Sequence, residues 1–230
     1  MLEVESLSAW YGEARALRDV RFRVGEGELI TLVGRNGAGK STALRCVMGL
    51  HPHMTGTVRL DGRDITAWPA QRRARAGLGY VPDDRGIYAR LTVEENLTLP
   101  PQIGTTKWPI DRVYTSFPVL RERRRHPGSK LSGGEQQILS IARVLRMGAR
   151  VLLLDEPTEG LAPVLVQQLR QMLREAKREG LTMLLVEQNL RFATAVADRH
   201  YLLSQGEIVD TLENAAILAK EHELLRHLGV

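Results

Sequence analysis

The run Gly34, Arg35, Asn36, Gly37, Ala38, Gly39, Lys40, Ser41 carries the clearest chemistry in the chain. Its glycines let a backbone curl until several N–H groups face one anion. A helix opening at Lys40 adds the partial positive charge of its N-terminus. Lys40 is then placed to reach the β- and γ-phosphates of a nucleotide, and the Ser41 hydroxyl to ligate Mg²⁺. A second run, VLLL over 151–154, ends in Asp155, Glu156 and Pro157. It delivers two carboxylates at the end of an apolar strand, where open α/β sheets place their ligand crevice. There Asp155 can hold the Mg²⁺ shell, and Glu156 can polarise an attacking water as a general base. The third run is Leu131, Ser132, Gly133, Gly134, Glu135, Gln136, Gln137. It reads as a loop, an S-x-x-E capping box and a helix, or as a second anion site made of Ser132 and bare backbone N–H groups. The residues alone leave both readings open.

The elements that must position these runs follow from periodicity. Val20, Phe22 and Val24 alternate with arginines, as in a half-exposed strand. Residues 28–33 form a short apolar β-rich run suited to a buried parallel strand, and a helix is expected over 40–48. Strands are expected at 56–61 and 78–81. From 92 to 147 the pattern is mostly helical, punctuated by Pro100, Pro101, Pro109, Pro118 and Pro127. It closes in a helix with Ile138, Ile141, Ala142 and Leu145 at helical spacing. Strands at 151–154 and 181–186 then alternate with helices at 164–177 and 191–197. A hairpin joins 201–203 to 207–209, and an amphipathic helix is expected over 215–228. Strand and helix alternate on both sides of a helical insert, which predicts a parallel α/β core with a helical subdomain.

Composition narrows the function classes. With 230 residues the chain can bury a sizeable core, and 43% hydrophobic with 26% charged residues argues against disorder. The net charge of +5 permits contact with nucleic acid or an anionic membrane surface but is too mild to require either. A single cysteine, Cys46, excludes an intramolecular disulfide framework. No stretch approaches the roughly 20 apolar residues that span a bilayer, and the first residues do not read as a signal peptide.

Taken together and in this order, the three runs resemble ABC-type ATPase domains, and LSGGEQQ over 131–137 is similar to that family's signature sequence. The resemblance covers nearly the whole chain. It implies a P-loop NTPase fold of class α/β: a parallel core sheet, an N-terminal antiparallel β portion and a helical subdomain insert. It implies one ABC ATPase domain over 1–230, with 1–90 and 150–230 as the nucleotide-binding core and 91–149 as the helical signature subdomain. Two such domains would pair head-to-tail, each ATP held between one P-loop and the opposing Ser132, Gly133, Gly134 and Glu135. Thr42 matches the residue after the P-loop serine, and Tyr11 sits where the family places an aromatic on adenine.

Three positions depart from the general pattern. Asp83 stands where a glutamine usually senses Mg²⁺ and contacts the transporter subunit; aspartate can still ligate Mg²⁺ with a shorter arm. Gln188 stands where a histidine usually stabilises the γ-phosphate; it can donate a hydrogen bond but carries no positive charge. Ala162 stands where an aspartate is common. Together with VEQN over 186–189, GLAP over 160–163 and LTVEENL over 91–97, these departures resemble the ATPases of branched-chain or hydrophobic amino-acid importers. DEPTEG over 155–160 is also similar to urea-importer ATPases.

The resemblance implies an ATP-binding and hydrolysing importer subunit with ATP and Mg²⁺ as cofactors. Its partners would be a second ABC ATPase subunit, homo- or heteromeric with unequal sites, transmembrane permease subunits and, indirectly, a solute-binding protein. It would lie peripherally on the cytoplasmic face of the cell membrane. Arg121, Arg123, Arg124 and Arg125 read as a solvated face or as a face toward phospholipid head groups; no aromatics interleave them, so nucleic acid is not expected as a partner. The alternatives are a urea or amide importer ATPase, a soluble ABC-type ATPase acting on nucleic acid or ribosomes, and a nucleotide switch that barely hydrolyses. Cys46 is expected in the core, and His51 and His53 lack further ligands for a metal.

Overall fold

A computed structural model of the chain describes residues 1–217. In chain order the first elements are β1 (Leu2–Tyr11), β2 (Ala14–Val24), β3 (Leu29–Val33), α1 (Lys40–Met48), β4 (Met54–Leu60) and β5 (Arg63–Asp64). They are followed by α2 (Ala70–Arg75), β6 (Leu78–Val81), α3 (Val93–Thr98), α4 (Ile110–Ser116), α5 (Pro118–Glu122) and α6 (Gly133–Arg146). The last are β7 (Val151–Asp155), α7 (Pro163–Arg178), β8 (Thr182–Glu187), α8 (Leu190–Val196), β9 (Arg199–Ser204) and β10 (Glu207–Glu213). The helix expected over 215–228 lies largely outside the described residues.

Two sheets form. One has the order β2-β1-β4-β5 and is antiparallel; the other has the order β10-β9-β3-β8-β7-β6. In the second, β9, β3, β8, β7 and β6 are parallel and β10 turns back antiparallel on β9. Every residue of β3, β7 and β8 is buried, the continuous apolar reading of strands covered on both faces. Successive residues face opposite layers. Ile30, Leu32, Leu153, Leu184 and Val186 pack with α1 and the antiparallel sheet. Leu29, Leu152, Leu154, Met183 and Leu185 pack with α6 and α7. The mixed sheet is therefore the middle layer, with α1 on one face and α6 on the other.

The fold departs from simple periodicity where the backbone is irregular. Alternation in LEVESLSAWY breaks at Ser6, whose φ is 50°, and the β1–β2 register shifts between Val4 and Leu7. Leu7, Ser8 and Ala9 are consequently all buried, a pattern that does not read as a strand. The mostly helical stretch 92–147 contains α3, α4, α5, a single 3₁₀ turn at Gly128–Lys130 and α6, with irregular chain between them. Ile138, Ile141, Ala142 and Leu145 are buried as their spacing requires. Cys46 is wholly buried in the layer containing α1, and burial pushes its thiol up to about 12.

Candidate functional site

The C-terminal ends of β3, β7 and β8 lie side by side, Val33 opposite Glu187 and Asp155 opposite Val186. The loops leaving these ends carry the first two runs of chemistry. Gly34 follows β3, and a Cβ there would lie 2.3 Å from the Leu203 carbonyl oxygen, so only glycine fits. Gly39, with φ +104°, turns the chain into α1. No side chain caps α1, so its first N–H groups remain available to an anion. Arg35, Asn36 and Gly37 are exposed at the loop crest, and Ala38 is buried beneath it.

The charged side chains converge here. Lys40 is only 4% exposed, and its ammonium donates to the Arg35 carbonyl at 3.1 Å and pairs with Glu156 Oε1 at 3.0 Å. The Ser41 hydroxyl donates to Asp155 Oδ1 at 2.8 Å, and the Tyr80 hydroxyl to Asp155 Oδ2 at 3.2 Å. Burial lifts the Asp155 carboxyl to about 6; the charges of Asp83 and Glu156 add to the rise, and the two hydroxyl donors oppose it. A carboxylate buried among like charges, with a serine hydroxyl beside it, is an all-oxygen donor set suited to Mg²⁺, whose charge would offset the cost of ionising Asp155. Glu156 has φ 45°, a left-handed backbone setting uncommon for a non-glycine residue.

Other expected residues sit around this centre. The Tyr11 ring is half-exposed, its hydroxyl lies 3.5 Å from Thr42 Oγ1, and the His51 ring meets it edge-on with centroids 4.7 Å apart. His51 Nε2 also bonds the Trp10 carbonyl, so this histidine serves the local packing. Asp83 is exposed after β6, its Oδ1 accepting from the Asp84 N–H at 2.9 Å. Gln188 is exposed just past β8.

The signature run forms the capping box its spacing predicts. Ser132 Oγ accepts from the Glu135 N–H at 3.3 Å, and Glu135 Oε2 accepts from the Ser132 N–H at 2.7 Å. Gly134 is buried, and the Arg85 guanidinium lies against Gly133 while donating to Gln136 Oε1 at 3.2 Å. This run opens α6, whereas the phosphate loop opens α1, and the two helices cover opposite faces of the sheet. The chain thus brings Lys40, Ser41, Asp155 and Glu156 together but keeps Ser132 to Glu135 apart from them.

Some contributors were not readable from residue spacing. Tyr80 reaches Asp155 because β6 pairs with β7, which no local pattern discloses. Glu187, 2% exposed, accepts from the Thr158 hydroxyl at 2.7 Å and from the N–H groups of Thr158 and Asn189 at 3.3 and 3.2 Å. Burial raises its carboxyl to about 7; the three donors oppose the rise and the charge of Glu156 adds to it. A charged residue ending the apolar run MLLV was the available signal. A cavity of about 380 Å³, lined by Trp108, Arg150, Glu179 and Thr182 among others, opens near the opposite ends of β7 and β8 and is separate from this chemistry.

Residues 17–159 match the ABC transporter family. Over its whole length the chain is similar to the high-affinity branched-chain amino acid transport ATP-binding protein BraG of Pseudomonas aeruginosa, at 40% identity covering 100% of both chains. It is similar as well to the lipopolysaccharide export system ATP-binding protein LptB of Escherichia coli, at 34% identity covering 99% of this chain and 97% of that one. A solved structure of an ATP binding subunit of an ABC transporter superposes with a TM-score of 0.86 at 27% identity, covering 100% of each.

Proposed function

The chain belongs to the ABC transporter family as an ATP-binding subunit and is an ATPase; from that premise we propose that it powers import of branched-chain or other amino acids through separate membrane subunits. The observation that carries the hydrolytic reading is the convergence of Lys40, Ser41, Asp155 and Glu156 within single contacts of one another. In this reading the amides of 34–39 and the Lys40 ammonium bind the phosphates, and Tyr11 stacks on the base. Ser41 and Asp155 would hold Mg²⁺, with Asp83 as a further oxygen ligand, and the bound ion would supply neutralisation of phosphate charge. Phosphate competes with Glu156 for Lys40, which frees the carboxylate to accept a proton from water. Gln188 donates a hydrogen bond on the γ-phosphate side.

The separation of the two phosphate-facing runs on opposite sheet faces supports a pair of ATPase subunits, each completing the other's site with Ser132, Gly133, Gly134 and Glu135. The segment 91–149 is read as the subdomain that carries this second surface and, with 83–97, the contact to the permease. Among the described residues no helix is long and apolar enough to cross a membrane, which fits a peripheral subunit recruited by membrane partners. A solute-binding protein would act on the far side of that complex.

Uptake tests the substrate. Cells whose chromosomal copy carries Lys40→Ala should lose transport of radiolabelled leucine, isoleucine and valine. The similarity to LptB supports a second reading, export of a lipid-linked polysaccharide. Unchanged leucine uptake with lipopolysaccharide accumulating in the inner membrane would favour that reading over import.

A further inference from the structure

Glu187 has no part in the chemistry described so far, yet it occupies the middle of the site. It ends β8, between β3, which launches the phosphate loop, and β7, which ends beside Glu156. Oε1 accepts the hydroxyl and N–H of Thr158, two residues beyond Glu156. Oε2 accepts the N–H of Asn189, the residue after Gln188, and the Asn189 side chain caps α8 by accepting from the Phe192 N–H at 3.1 Å. The Glu156 N–H itself donates to the Val186 carbonyl at 3.0 Å, so both loops hang on the end of one strand.

We propose that Glu187 is a positioning residue for hydrolysis: its carboxylate fastens the loop after Glu156 to the turn carrying Gln188, so that the two sides of the reacting phosphate hold one relative setting. The proposal rests on Glu156 being the base. In its ionised form a carboxylate suits this post, because both its oxygens then only accept and every group facing them donates. An amide of the same shape would set its NH₂ against either the Asn189 N–H or the Thr158 donors, and one half of the tie would open. The left-handed backbone of Glu156 needs such support, because a strained setting persists only where its surroundings over-determine it.

The test compares the full chain with Glu187→Gln, Thr158→Val and Thr158→Ser. Steady-state turnover and ATP affinity are measured together with hydrogen exchange at the Thr158 and Asn189 amides. Glu187→Gln and Thr158→Val should each lower kcat at least about tenfold while the Kd for ATP stays within about twofold, since displaced catalytic groups cost rate rather than binding. Thr158→Ser, which keeps the hydroxyl, should retain kcat. The double variant Glu187→Gln with Thr158→Val should be no slower than the slower single, because both open the same tie. Exchange at both amides should rise together in Glu187→Gln. Unchanged kcat, additive losses, or a rise at one amide alone would overturn the proposal. Should Glu187→Gln fold poorly, Thr158→Val against Thr158→Ser decides the question alone. A wild-type chain that binds ATP without turning it over would refute the hydrolytic reading instead, and the exchange result would then still judge the tie.

Discussion

At the scale of single residues, the site is built from groups whose neighbours leave them little choice. Lys40 is buried with its charge, and its partners are a loop carbonyl and the Glu156 carboxylate. In its proposed role Lys40 faces phosphate, so Lys40→Ala should lower ATP affinity by about 10²-fold in equilibrium titration. Gly34→Ala drives a methyl group into the Leu203 carbonyl. It should cost about 1–3 kcal/mol in urea unfolding and distort the phosphate loop. Glu187 sets a pH dependence. Its carboxyl rises from an ordinary 4.5 to about 7 in the folded chain, so between those values the folded state binds more protons than the unfolded one. Its contribution to stability is complete below about 4.5 and is lost as pH rises through about 7. The charge of Glu156, at the end of β7, acts in the same direction. The urea midpoint of the nucleotide-free chain should show this fall between about pH 4.5 and 7, and Glu187→Gln should flatten that part of the curve.

Elements hold these residues through a few buried polar ties. Arg73, on α2, is 1% exposed and donates to the carbonyls of Cys46, Val47, Thr66 and Trp68. It thereby closes the C-terminus of α1, whose other end is the phosphate loop. Arg73→Ala removes this donor from the Val47, Thr66 and Trp68 carbonyls and should destabilise the chain by about 1–3 kcal/mol in chemical denaturation, and Arg73→Lys should not restore it, because an ammonium cannot span the same fork. Asn96 plays a comparable role for the irregular segment before α3. Its side chain accepts from the Tyr88 N–H and donates to the Tyr88, Leu91 and Thr92 carbonyls. How much of this was legible depended on range. The helix at 40–48 and the strand at 78–81 coincide with α1 and β6, because a glycine loop, caps and short apolar runs are local signals. The capping box at Ser132 and Glu135 was legible for the same reason. β1 was obscured by its bulge at Ser6, and α2 by its run of arginines, one of which turns inward. The contacts of Tyr80, Arg73 and Glu187 depend on which strands and helices become neighbours, and no local pattern in one sequence encodes that.

For the whole molecule, the governing fact is that α1 and α6 cover opposite faces of one sheet. In the proposed pairing, a chain so built would present its phosphate loop and its signature helix to different neighbours, and two copies or two relatives would each complete the other's site. Glu156→Gln saturated with MgATP should therefore run as a dimer in size-exclusion chromatography with light scattering. Ser132→Arg, which places a bulky side chain at the exposed start of α6, should return it to a monomer without loss of ATP binding. The most direct test of the account remains steady-state ATP hydrolysis by the purified chain against Glu156→Gln. Mg²⁺-dependent turnover should fall by about 10²–10⁴-fold in the variant while ATP still binds, the range expected when a general base is removed. Turnover unchanged by Glu156→Gln would contradict it.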